Sequence, residues 1–304
     1  PHSPVVRGWS SRAVVWWRPS WTAALWPHGS RGASRRCMAF GLLFLDPERV
    51  VLLGREGSVR GVIGKKAIHM MEKDEREKVS KIKDLWIDIG AASRAEAAAQ
   101  IEVGDAGVLD TSILELPNGR IVSRSIDNRI GAFVVLETLR QLAKNRPGAT
   151  VTAVATAQEE IAYTGGGART SATGLAPAVA IVVDVTHATD TPTIDKNRKG
   201  EVKLGGGPVL SRGSSVNRRV VDLLAATALE EKIPFAWHAA PKFTSTDADA
   251  IFTSFKGVAT GLVSVPNRYM HSPNEMVALE DLDRAAALLA AFARRLTSAT
   301  DLIP

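Results

Sequence analysis

Two adjacent glutamates, Glu159 and Glu160, close an apolar β-type run, Thr150-Val-Thr-Ala-Val-Ala, and the glycines Gly165 to Gly167 follow them. Carboxylates at the C-terminal end of a strand sit where open α/β sheets place their chemistry. Three other stretches offer partners: Asp127 in Ser-Ile-Asp-Asn-Arg, Asp184 in Ile-Val-Val-Asp-Val-Thr-His, and His271 in Arg-Tyr-Met-His-Ser-Pro. Brought together as bare groups, the carboxylates would repel one another; one divalent ion, or two, reverses that sign. Oxygen and nitrogen ligands without cysteine suit zinc, cobalt or manganese. With two ions about 3.5–4 Å apart, one carboxylate bridges them and a further acid stays off the metals as base for a shared water.

Each group also has a plain structural reading. Asp127 can cap the helix that follows it, and Asp247 and Asp249 in Thr-Asp-Ala-Asp read as helix starters. His187 and Asp190 are loop residues near Asp184, His238 in Phe-Ala-Trp-His is a structural strand residue, and His69 lies in a charged loop. Gly205-Gly-Gly-Pro lacks the Lys-Ser/Thr of a phosphate loop and reads as a turn. A glycoside hydrolase with Glu159 and Glu160 as acid and base would need carboxyls roughly 5–9.5 Å apart across a sugar. Neighbouring side chains on a strand diverge, which disfavours that chemistry.

The elements that must position these groups alternate. Residues 128–145 place Ala132, Phe133, Leu136, Leu139 and Ala143 on one helical face, and Arg146-Pro-Gly stops the helix. Strands are expected at 150–157, about 178–184, Pro234-Phe-Ala-Trp-His and 257–265. Helices are expected at 216–231, with its start marked by Ser214-Ser215, from Thr246, and at 279–297. This order predicts an α/β fold with a mostly parallel sheet, so that loops at the strand ends bring Asp127, Glu159, Glu160, Asp184 and His271 to one edge. Upstream, short apolar runs separated by glycines, Val50-Val-Leu-Leu, Ser58-Val-Arg-Gly-Val-Ile and Leu85-Trp-Ile-Asp-Ile, predict a smaller β-rich, barrel-like domain. Ser93 with Glu96 three residues later predicts one capped helix inside it.

Composition bounds the partners. No apolar run approaches the roughly 20 residues of a membrane helix. The single cysteine, Cys37, excludes an intramolecular disulfide and fits a reducing compartment, hence a cytoplasmic home. The net charge of +6 comes from the N-terminal end: residues 1–45 carry six arginines and no acid, and the remaining 32 basic and 32 acidic residues cancel. No basic groove for nucleic acid is implied in the folded body. Residues 1–37, with five of the seven tryptophans, read as a divergent leader outside the fold, and Met38 opens the ordinary chain. The expected division is then 1–37 leader, 38–120 β-rich domain and 121–304 α/β catalytic domain.

Six stretches together resemble the TET-type dinuclear metallo-aminopeptidases, metallopeptidase family forty-two. They are Ser125-Ile-Asp-Asn-Arg-Ile-Gly, Gln158-Glu-Glu-Ile, Asp184-Val-Thr-His-Ala-Thr-Asp, Gly205-Gly-Gly-Pro, Ser245-Thr-Asp-Ala and Arg268-Tyr-Met-His-Ser-Pro. The likeness spans about residues 50–300, and Val59-Arg-Gly-Val-Ile-Gly and Leu85-Trp-Ile-Asp-Ile-Gly resemble the family's inserted dimerisation domain. The resemblance implies two divalent ions, with Asp127 bridging, Glu160 and His271 on one ion and Asp184 on the other. It implies Glu159 as general base towards a metal-bound water, release of N-terminal residues from peptides, and a homo-oligomer built from dimers. Two departures stand out. The family's His-x-Asp-Glu motif near the N-terminus has no counterpart here, His2 and His28 lying in His-Ser-Pro and His-Gly-Ser, so one metal site lacks a ligand. Ala162 stands where the family has glycine, in a loop about two residues longer, where alanine resists a positive φ. The departures raise an alternative, a catalytically inactive homologue serving as a structural subunit.

Overall fold

The computed structural model describes residues 12–17 as backbone, and residues 48–80, 84–161, 165–192 and 194–303. Arg12–Trp17 forms strand β1. Arg49–Gly54 (β2), Gly57–Gly64 (β3), Trp86–Asp88 (β4) and Gly107–Leu109 (β5) build an antiparallel four-stranded sheet in the order β4-β3-β2-β5. The single turn α1 (Lys73–Arg76) and the helix α2 (Arg94–Gln100) lie between these strands. As the sequence predicts, α2 is capped by Ser93, whose hydroxyl accepts from the Glu96 amide. Leu114–Leu116 (β6) and Arg120–Ser123 (β7) belong to a different sheet, because β7 pairs with a strand near the C-terminus, Glu275–Ala278 (β13).

The larger part follows the expected alternation. Helix α3 (Ile126–Lys144) leads to β8 (Thr150–Ala155), α4 (Gly166–Leu175) and β9 (Val179–His187). After the short α5 (Lys196–Lys199) come β10 (Val209–Gly213), α6 (Arg218–Glu230), β11 (Ala236–Ala240), the single turn α7 (Ala248–Ile251) and β12 (Ala259–Asn267). Strand β13 and helix α8 (Leu279–Arg295) complete the chain. Six strands form one sheet in the order β11-β10-β12-β9-β1-β8, parallel throughout except where β10 meets β12. The fold is α/β. Among the described residues no helix is long and apolar enough to cross a membrane.

The core follows from strand alternation. Ile181, Val183 and Val185 of β9 join the larger apolar cluster with α3, α6 and α8, while Ala180 and Val182 join a second cluster with Ala168, Ala172, Ala248 and Ile251. Successive strand residues face opposite sides, so a sheet covered by helices on both faces reads as an unbroken apolar run. Val179-Ala-Ile-Val-Val is that run, and Asp184 continues the parity of Ala180 and Val182.

Three expectations need correction. The stretch Arg12–Trp17, expected within an unpacked leader, runs parallel between β8 and β9, second from one edge of the main sheet. Its Ala-Val-Val-Trp-Trp sequence has the β-branched and aromatic content of a strand, which the arginine-rich surroundings obscured. Residues 1–11 and 18–47, including His2, His28 and Cys37, lie outside the described residues. The buried face of α3 is Ile126, Ile130, Val134, Thr138 and Leu142, whereas Phe133 and Leu136 are exposed. Both stripes fit a 3.6-residue period, and Thr138 enters the core because its hydroxyl is satisfied by the Val134 carbonyl at 2.7 Å. Helix α6 is capped by Asn217, whose side chain accepts from the Val220 amide, while the Ser214 and Ser215 hydroxyls donate to the Lys242 carbonyl.

Candidate metal centre

Asp127, Glu160 and His271 converge at the C-terminal edge of the main sheet. One potential ligand atom from each lies within 4.8 Å of the others. His271 Nε2 is 3.1 Å from Asp127 Oδ2 and 3.6 Å from Glu160 Oε1. Exposure grades across the group: the Asp127 side chain is 3% exposed, Glu160 26% and His271 40%, so the site opens on the imidazole side. Two carboxylates and one imidazole at this spacing form a compact, net acidic oxygen and nitrogen donor set. Such a set fits a first-row divalent ion, which would replace carboxylate repulsion by shared attraction.

Each of the three residues is placed by its own device. Asp127 belongs to the non-helical first turn of α3, after Ser125 at φ 56°. Beside it, the fully buried Asn128 donates through Nδ2 to the Val183 carbonyl at 2.7 Å and accepts from the Gly131 amide at 2.9 Å. The start of α3 is thereby fastened to β9 one residue before Asp184. Glu160 follows β8 in a turn whose Gln158 has φ 67°. That turn is gripped from two sides. Thr156 Oγ1 donates to the buried Asp247 at 2.6 Å, and the Gly167 amide donates to the Ala157 carbonyl at 2.9 Å. A Cβ on Gly167 would come within 2.6 Å of the Ala157 nitrogen, so only glycine permits this approach. His271 stands in a tight loop after β12, with Tyr269 at φ 59° and His271 at φ 64°. Left-handed non-glycine residues gathered in the segments that bear the donors are a mark of functional sites.

Glu275 lies beneath this group. It is 2% exposed, its Oε2 accepts from the Asp127 amide at 2.8 Å, and its Oε1 accepts from the His271 amide at 2.7 Å. Burial pushes its carboxyl up to about 7; the Asp127 carboxylate adds to this, while the two amide bonds and the His271 ring pull the other way. Arg268 makes a forked ion pair with Asp190, Nε to Oδ1 at 2.9 Å and a terminal nitrogen to Oδ2 at 2.7 Å. Burial alone would raise the Asp190 carboxyl, but the guanidinium and the Leu204 amide outweigh it and hold it low. The pair joins the segment after Asp184 to the segment that carries His271.

The structure thus gathers three of the five residues expected at the site. Asp184 is 4% exposed on β9, outside the three-residue group, with its Oδ1 accepting from the Val185 amide. Glu159 is half-buried in the Gln158 turn and is not one of the three. Asp190 is engaged by Arg268, His187 is exposed at the end of β9, His238 faces Ser211 on β10, and His69 is exposed in a short turn. Asp247 does start a helical turn, yet its side chain serves Thr156 rather than the helix end. Gly205-Gly-Gly-Pro is the turn expected of it. Ala162 to Thr164, the altered loop, lie outside the described residues. Asn128 and Arg268 lie in two of the stretches that carry the resemblance but were given no role there, and Glu275 lies outside all six. The nearest signal for Glu275 is an acid four residues after His271.

Comparison with known proteins identifies the family. The family described as M42 glutamyl aminopeptidase matches residues 43–288. The lysyl aminopeptidase of Pyrococcus furiosus is 30% identical over 257 residues, covering 83% of this chain and 71% of its own length. Among solved structures, the TET aminopeptidase of the marine sediment archaeon Thaumarchaeota archaeon SCGC AB-539-E09 superposes with a TM-score of 0.82. It is 28% identical and covers 97% of this chain and 84% of its own. PhTET1-12s, a dodecamer in the asymmetric unit, gives a TM-score of 0.74 at 25% identity, covering 94% of this chain and 84% of its own. The chain belongs to the M42 glutamyl aminopeptidase family.

Proposed function

We propose that this chain is a metal-dependent aminopeptidase of the M42 type that releases N-terminal residues from peptides. The observation that carries the proposal is the convergence of Asp127, Glu160 and His271 within 4.8 Å in a chain of this family. In this reading Glu160 and His271 would hold one divalent ion, Asp184 would hold a second, and Asp127 would be shared between them. Zinc, cobalt or manganese suits these donors. When bound, such ions supply Lewis acidity towards the scissile carbonyl and lower the pKa of a coordinated water.

The chain's own residues do the rest. The Glu159 carboxylate accepts a proton from the attacking water and delivers it to the leaving amine nitrogen, which departs as the peptide shortened by one residue. Glu159 precedes Glu160 in the same turn, so holding Glu160 on metal also sets the position of the base. Burial of Asp127 removes competing water from the carboxylate that would be shared between the ions.

We further assign the β2–β5 sheet to a dimerisation-type domain within a homo-oligomer. The dodecameric PhTET1-12s supports this, as do the exposed apolar side chains Leu53, Val62 and Trp86 on that sheet. A cytoplasmic setting agrees with the single cysteine. A second reading, an inactive homologue acting as a structural subunit, draws on the sequence having no His-x-Asp-Glu motif.

Metal content and turnover separate the two. Purified chain should hold zinc, cobalt or manganese and hydrolyse aminoacyl-p-nitroanilides. Glu159→Gln should lower kcat by about 10²–10⁴-fold with metal retained, and Glu160→Gln should lose metal. Wild-type protein that gives no turnover with added cobalt would leave the structural-subunit reading.

A further inference from the structure

Asp127 and His271 reach the site from opposite ends of the catalytic part, one at the start of α3 and one after β12. Neither is held there by a regular backbone ladder. Asp127 sits in a non-helical first turn, where amides have no helical acceptor, and His271 lies in a loop with φ 64°. Their amides nevertheless share one acceptor. Glu275 takes the Asp127 amide on one oxygen at 2.8 Å and the His271 amide on the other at 2.7 Å. Glu275 itself is fixed from outside the site, because β13 pairs with β7 in the register Glu275 to Ser123. That strand pair ends just before Asp127 and begins just after His271. The carboxylate is therefore tied to both ligand-bearing segments by main chain and by side chain at once.

We propose that Glu275 is a positioning residue that fixes Asp127 and His271 relative to each other as ligands of one divalent ion. The proposal rests on the metal-site reading given above. It adds to that reading a residue that touches neither ion nor substrate and acts through the backbone of two ligands. The ligand atoms are 3.1 Å apart, so a small shift of either segment takes one of them out of reach of a shared ion. Residues that orient metal ligands without touching the metal commonly change its affinity by about 10–100-fold when altered. A merely structural Glu275 would instead be felt in the stability of the metal-free fold.

Glu275→Gln keeps the shape but has one oxygen, so one of the two amides faces an NH₂ donor. Glu275→Asp keeps the charge but is one methylene too short to reach both amides. Cobalt titration of the metal-free full chain, read by visible absorption, gives affinity and ligand geometry together; thermal unfolding of the metal-free chain reports on the fold. Both variants should bind cobalt at least about tenfold more weakly, with shifted absorption bands, at a temperature where their metal-free melting curves show folded protein. Wild-type affinity and unchanged bands in Glu275→Gln would overturn the proposal. So would full rescue by Glu275→Asp, which would assign the effect to charge alone. If Glu275→Gln does not fold, Glu275→Asp supplies the same two readings. A wild-type chain that takes up no cobalt would defeat the metal-site reading itself, a result distinct from wild-type binding with unaffected variants.

Discussion

Two buried carboxylates in this chain use the same device for different ends. Glu275 gathers the amides of Asp127 and His271, at 2.8 and 2.7 Å, and Asp281 gathers those of Gly205 and Gly207, both at 2.7 Å. Both carboxylates are almost fully buried, and burial pushes the first up to about 7 and the second up to about 6. In each case the fold bears the cost of hiding a carboxyl in order to join two distant segments. The segments differ. Glu275 joins two that present donor side chains to a common point, whereas Asp281 joins the start of α8 to a glycine turn leading into β10. Loss of the first should be felt in metal affinity, and loss of the second in the stability of the sheet edge.

The strongest way to break the Asp281 side is at Gly207. Its φ is 89°, and a Cβ there would come 1.9 Å from the Pro234 carbonyl oxygen, part of the main chain leading into β11. Gly207→Ala must therefore displace backbone, and overpacking of this kind costs about 1–3 kcal/mol before the strain of the left-handed conformation is added. The melting temperature should fall further than for any substitution at Asp281 or Arg268, while cobalt affinity of the folded protein stays at the wild-type value. A lowered affinity would show that the two regions are coupled. Asp281→Ala comes next. It strips the buried Gly207 amide of its acceptor, at about 1–3 kcal/mol, partly offset because no carboxyl remains to be buried. A stability loss of about 2 kcal/mol in denaturant titration, again with cobalt affinity intact, is the expected result.

The contrast also explains what the sequence could and could not disclose. That Asp127, Glu160 and His271 come together was legible because metal chemistry restricts the residue types and their surroundings, and so were β9, β12 and α8, because long apolar patterns have few alternatives. Glu275 and Asp281 were not, since what they recognise is main-chain N–H, which every residue but proline carries. The Asp127–Glu275 contact spans 148 positions and leaves no local pattern. Strand β13 has four residues and β10 five, too few for a period to show. Strand β1 was hidden for another reason: segment composition outweighed a six-residue β-type run. The face of α3 is ambiguous in sequence because two apolar stripes compete on it, and only tertiary packing selects Val134 over Phe133.

Arg268 sharpens the comparison with a smaller effect. Its fork on Asp190 holds the segment after Asp184 against the one bearing His271, and the two side chains are 15% and 16% exposed. Lysine keeps the charge but cannot make the two parallel bonds. Arg268→Lys should cost about 1 kcal/mol, the net worth of one hydrogen bond, measured by thermal unfolding of the metal-free chain. A loss as large as that of Asp281→Ala would place the ion pair among the main supports of the fold.

The smallest expected effect is a slope rather than a level. Burial is the main reason the Asp281 carboxyl rises from 3.8 to about 6, with Glu280 adding to it and the Gly205 and Gly207 amides and Arg284 opposing it. A folded-state pKa above the unfolded value means that the folded chain binds the extra proton between the two. Stability from this group is therefore fully present below about pH 4 and is lost as pH rises through about 6. Asparagine at 281 keeps one acceptor and does not titrate. The stability advantage of wild type over Asp281→Asn should accordingly be widest near pH 4 and narrow as pH approaches 7, in paired melting curves of metal-free protein. Surface carboxylates titrate over the same range in both proteins and cancel in the difference. An advantage that grows with pH would mean that the ionised Asp281 is the form the fold prefers, and that its two amide bonds outweigh its burial.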